Sequence, residues 1–176
     1  YEGVLNVISQ HNFTQFMLAI KSAGFISSKM VTSNMALDFA YTIHLLLQKS
    51  DVPVAERKRI VQKWYVLSAL TGRYSTSPES AFARDLRQIS ERGVPTMLKA
   101  MEDAILSENF WTVALPQNLN STSTTNPTYL VYLAAQVYFN DISLLSSNIT
   151  VRELISLGCD LHQIFPNKYL IMKNYS

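Results

Sequence analysis

A chain of 176 residues, 48% of them hydrophobic and only 16% charged, is long and apolar enough to bury a sizeable core, which excludes intrinsic disorder. Its 15 basic and 13 acidic residues leave a net charge of +2, too slight to act by itself as a nucleic-acid footprint. One cysteine, Cys159, excludes an intramolecular disulfide framework.

The chain begins at Tyr1, already inside an apolar-periodic segment, and is expected to be a piece of a longer protein. The first strong element lies behind Ser33 or Asn34 as a cap, where Met35, Phe39, Ile43 and Leu47 recur every four residues. Flanking leucines and alanines make this helix apolar on more than one side, so it belongs at the centre of the core. His44 falls on the Ala36–Ala40 stripe, where a hydrogen-bonded core or rim histidine is expected.

A second helix runs from Pro53 to a stop at Gly72, with Ile60, Trp64, Leu67 and Thr71 along one face. Arg57, Lys58 and Arg59 near its start resemble a phosphate-binding patch. Three consecutive helical residues point in three directions, however, so a solvated first turn is the reading adopted. In the third, Ser77 caps, Pro78 takes the first position, and Gly93 ends the helix. Phe82, Leu86 and Ile89 form its expected buried stripe, leaving Arg84, Asp85, Arg87, Glu91 and Arg92 for the outer face. Helix-spaced opposite charges there add only a few tenths of a kcal/mol per pair. Pro95 opens a further helix, with Met97, Leu98, Met101 and Ile105 inward.

The polar stretch Pro116 to Pro127 carries no period and is expected to be a loop within one domain. Tyr129 to Phe139 then reads as a largely buried helix. It is interrupted by Gln136 and too short to cross a bilayer, and nothing resembles a signal peptide. A cytoplasmic location is expected, so the sequons at Asn12, Asn120, Asn148 and Asn174 carry no weight. Thr150 with Glu153 forms a capping box ahead of a stop at Gly158. With no strand alternation and no fixed-period repeat, the predicted fold is all-α, a multi-helix bundle with a short irregular C-terminal segment.

Most enzyme signatures are missing: no phosphate loop, no dinucleotide-binding glycine pattern, no H-E-x-x-H, no C-x-x-C and no nucleophile elbow. The three histidines, His11, His44 and His162, sit on separate elements. The one local cluster is Cys159, Asp160 and His162. It cannot supply the four ligands of a structural zinc site. A nuclease-type site for a hard divalent ion needs only one or two protein ligands, with a neighbouring neutral histidine as general base. Two residues do not make a site, and on chemistry alone a polar turn holding a capped histidine is the simpler reading.

The tail Cys159–Leu170, C-D-L-H-Q-I-F-P-N-K-Y-L, resembles the D-x-H-H-I-F-P-K-x-Y-L segment of a large prokaryotic family of proteins related to the GmrSD type IV restriction enzymes. Trp64 to Ile89 and Asn126 to Ser146 are similar to the middle region of the same family, and Gly-Arg-Tyr-Ser at Gly72 to Ser75 is the most distinctive internal match. The resemblance covers the chain from about Ser33 onward.

It implies a ParB-like domain with a D-G-Q-Q-R motif preceding this region and handling nucleotide, and an HNH-type nuclease motif following it. Residues 1–158 would then be the helical domain and residues 159–176 the start of a truncated HNH-like motif. The family's paired histidines map onto His162 and Gln163. His162 would stand on the metal side, with Asp160, beside a divalent ion such as Mg²⁺ in the parent. Gln163 occupies the general-base position, where an amide cannot take up a proton at neutral pH. The fragment alone is expected to lack nuclease activity. DNA would be engaged through the parent, with Arg73, Arg84, Arg87 and Lys168 as candidate phosphate contacts; oligomers are possible and a membrane is not expected. The alternative is a catalytically silent interaction or regulatory module of the same origin, favoured by Gln163 and the sparsely charged surface.

Overall fold

Ser33, Pro78 and Thr150 mark helix starts as their chemistry requires, and the spacing of apolar residues decides which helix faces turn inward. The computed structural model describes residues 2–120, 123–159 and 167–174. In chain order the helices are α1 (Glu2–Val7), α2 (Gln10–Ser22), α3 (Asn34–Gln48), α4 (Val54–Leu70), α5 (Pro78–Arg92), α6 (Val94–Ile105), α7 (Leu115–Leu119), α8 (Pro127–Phe139), α9 (Val151–Ser156) and α10 (Asn167–Met172). A 3₁₀ turn at Ser28–Met30 precedes α3, and a π-wound segment at Phe110–Ala114 runs directly into α7. No strand occurs among the described residues beyond an isolated antiparallel bridge between Ile142 and Thr150. The fold is all-α.

The central helix is α3. Ser33 Oγ accepts from Ala36 N at 3.2 Å, satisfying one of the orphan donors of the first turn. Phe39, Ala40, Ile43 and Leu47 are sealed from solvent, while Met35 is half-buried at the edge. Helix α4 lies along α3 and buries a broader face than the expected one: Val61 and Tyr65 join Trp64 and Leu67, whereas Thr71 is exposed. Phe39 is the hub, stacked on Trp64 with ring centres 5.2 Å apart and meeting Phe82 edge-on at 4.7 Å. Helices α2, α6 and α8 pack on α4.

Arg57, expected in a solvated turn, reaches back to close the C-terminal end of α3. Its guanidinium donates to the carbonyls of Val52 (2.8 Å), Ser50 (3.1 Å) and Gln48 (3.4 Å). The junction between α2 and α3 depends on Gly24, whose φ is +99°. A Cβ there would sit 1.9 Å from the Ala134 carbonyl oxygen of α8, so only glycine permits this backbone contact.

Three further expectations are corrected. The stripe of α5 is Ala81, Asp85 and Ile89; Asp85 is fully buried rather than outward, and Leu86 is 42% exposed. The segment Pro116–Pro127 is not wholly loop, because Pro116 to Leu119 continue as α7; the chain has already wound helically from Phe110, and proline is tolerated in a first turn. Helix α8 buries only one side, through Leu130, Leu133, Ala134 and Val137, and leaves Tyr132, Tyr138 and Phe139 in solvent. The Thr150–Glu153 capping box is present, with each side chain bonded to the other's backbone N–H. Among the described residues no helix is long and apolar enough to cross a membrane.

Candidate functional site

Gly72 ends α4 with a φ of +57°, and the backbone folds back so that Arg73 N donates to Ser68 O at 3.1 Å. Ser75 tightens the turn, its N and Oγ both donating to Gly72 O. This reversal aims Arg73 and Tyr74 at α5, where Asp85 stands two turns into the helix. Arg73 grips the carboxylate in a fork, Nε to Oδ2 at 2.6 Å and Nη2 to Oδ1 at 2.7 Å. Tyr74 OH adds a third bond to Oδ2 at 2.9 Å. The guanidinium carbon lies 5.7 Å from the centre of the Trp64 ring, completing its desolvated seat.

Burial first, and then the Asp85 charge, push the Tyr74 phenol far above its ordinary range, so Tyr74 acts only as a donor. For Arg73, burial opposes the charged form, but the hydrogen bond and charge of Asp85 more than offset it and raise the guanidinium further. The carboxylate is enclosed by donors, with no open face for proton transfer. Its chemistry is to hold the α4–α5 turn in one geometry. On α4, the buried Trp64 Nε1 and Ser68 Oγ have no hydrogen-bond partner among the described residues.

The remaining candidates are dispersed. Arg84 is 60% exposed, its Nε 3.6 Å from Asp85 Oδ1, and Arg87 is exposed on the same helix. Lys168 is exposed on α10. Asp160, His162 and Gln163 lie outside the described residues, so the expected metal-side pair has no geometry here. Cys159, just before them, is exposed with a free thiol. Among the described residues no group of three or more His, Cys, Asp or Glu side chains gathers as a metal would require.

His44 stands at the rim between α3 and α2, beside Phe16 and Tyr41. Gln48 Nε2 donates to His44 Nε2 and to Asn12 Oδ1, both at 3.2 Å. An amide nitrogen cannot accept, so His44 Nε2 must be the unprotonated acceptor. Burial lowers its pKa in the same direction.

Sequence reasoning missed the Arg73–Asp85–Tyr74 cluster because a charged residue was assigned to the outer face on type alone. Ala81, Asp85 and Ile89 share the four-residue spacing of a buried stripe, and that spacing was the available signal. Comparisons with protein-family models, with curated proteins and with solved structures give no match for this chain.

Proposed function

We propose that this chain is the helical scaffold of a GmrSD-like DNA restriction enzyme, positioning other parts of that protein and without catalysis of its own. The observation that carries the reading is the use made of Gly72 to Ser75, the most distinctive stretch of the resemblance. Its arginine and tyrosine clamp Asp85 in the Trp64–Ile89 segment of the same resemblance. A stretch that resembles a restriction family thus serves here as a structural lock, as a scaffold region would require.

On this reading Arg84, Arg87 and Lys168, all exposed, contact DNA phosphates, and Arg73, expected beside them, is left out because its guanidinium is taken up by Asp85. Asp160 and His162 stand beside a divalent ion such as Mg²⁺, and the nucleotide belongs to a ParB-like domain elsewhere in the parent. The test is cleavage of plain and modified phage DNA by the full-length parent with Mg²⁺ and nucleotides, wild type beside His162→Ala and Gln163→His. Loss of cleavage in His162→Ala supports the nuclease reading; absence of cleavage in every variant sinks it.

A second reading, a silent interaction module, draws on a specific observation. Phe139, Leu144 and Leu145, at the end of α8 and in the loop after it, are 71%, 81% and 86% exposed. Where such side chains form one contiguous patch, they mark a surface that another chain covers. Association of the chain without any affinity for DNA would favour it.

A further inference from the structure

Helices α5 and α6 are joined at Gly93 and diverge around a cavity of about 260 Å³. One wall carries Arg73, Gln88 and Arg92, and the opposite wall carries Met97, Met101 and Ala104. One unpaired cation, Arg92, an amide and the Asp85-paired Arg73 thus line the pocket together with apolar side chains, and no carboxylate is among the lining residues themselves. Asp85 holds Arg73 from behind and uses two of its five N–H donors. Arg73 also interacts with the Tyr74 hydroxyl, whereas the Gln88 amide and the whole Arg92 guanidinium have no hydrogen-bond partner among the described residues. Arg73 is also rigid: its fork on Asp85 and its seat over Trp64 fix the plane of the guanidinium before anything arrives, so little side-chain freedom is left to lose on binding.

An anion alone would use only one wall, and an uncharged apolar molecule only the other. From this arrangement we propose that the α5–α6 cavity is a binding site for a small organic anion, a carboxylate or phosphate head on a short apolar body. The head lies between Arg73 and Arg92, with Gln88 as a further donor, and the body lies against Met97 and Met101. The site is independent of the restriction-enzyme reading and would stand or fall on its own.

The test is titration of the purified chain, followed by amide NMR shifts and calorimetry, with benzoate, phenyl phosphate, inorganic phosphate and neutral benzamide. Two variants at exposed positions accompany it: Arg92→Ala removes one wall's charge, and Ala104→Leu fills the other. The expected result is saturable binding of benzoate or phenyl phosphate, with shifts centred on α5 and α6; the tighter of the two identifies the head. Arg92→Ala should weaken it about tenfold, as loss of a charged hydrogen bond does, and Ala104→Leu should weaken it while wild-type stability persists. The proposal is overturned if benzamide binds equally well, if inorganic phosphate matches phenyl phosphate, or if neither variant alters the affinity.

Discussion

Asp85→Asn is the sharpest test of how the fold is locked. The substitution preserves shape but removes the charge, and its amide must present an N–H₂ to one of the Arg73 donors now bonded at 2.6 and 2.7 Å. One donor then faces another donor in a site where Asp85 has no solvent exposure. Breaking one partner of a buried pair costs roughly 3–5 kcal/mol. The Arg73 side chain keeps 19% of its surface in water and can be partly rehydrated, so the lower end applies, about 3 kcal/mol. For a chain of 176 residues this is a fall in Tm of roughly 6–12 °C. Thermal and urea unfolding followed by circular dichroism would measure it, in a cycle with Arg73→Met. The double variant should recover about 2 kcal/mol relative to the sum of the singles, because it leaves no orphaned charge. Arg84→Met is the control, with a 3.6 Å contact on a 60% exposed side chain, and should change stability by less than about 0.5 kcal/mol. A loss below about 1 kcal/mol for Asp85→Asn, or strict additivity in the cycle, would refute the lock.

Further outcomes follow from other contacts. Gly24→Ala drives a Cβ into the Ala134 carbonyl at a φ of +99°; it should cost at least about 3 kcal/mol, read as a lowered urea midpoint or as insoluble protein. Burial holds His44 below its ordinary 6.5, so the unfolded chain takes up a proton that the folded chain refuses. Its contribution to stability is complete above about pH 6.5 and declines as the pH falls below that value; urea midpoints from pH 7.5 to 5 should show a steeper fall for wild type than for His44→Asn. Arg57→Met strips three carbonyls around the end of α3 of their donor and should cost about 1–2 kcal/mol in the same assay. Thr150→Ala removes the cap of α9 and should cost about 1 kcal/mol, seen as faster amide exchange at Glu153.

Helix existence was legible wherever a cap, a proline or a glycine punctuated an apolar repeat. Ser33, Pro78, the Thr150–Glu153 box and the stops at Gly72, Gly93 and Gly158 all stand at helix ends as read. Facing was less legible, because periodicity gives the direction of a stripe only when residue type agrees with burial. Asp85 breaks that agreement: its partners, Arg73 and Tyr74, come from a turn preceding its own helix, and tertiary pairing cannot be read from a local window. Arg57 escaped for a related reason, since its role is set by where α3 ends rather than by its own helix. The exposed aromatics of α8 read as buried because hydrophobicity alone does not distinguish a core face from one that another surface covers.

The two tryptophans divide the molecule for spectroscopy. Trp64 is sealed against Phe39 beneath the Arg73 cation, whereas Trp111, on the π-wound segment, is 52% exposed. Emission from the first should be blue-shifted and shielded from iodide, and emission from the second red-shifted and readily quenched. Each ring therefore reports on a different region. A quencher-resolved melt would separate loss of the α3–α4 core from loosening of the segment leading into α7, and would reveal whether the peripheral helices come apart before the centre does.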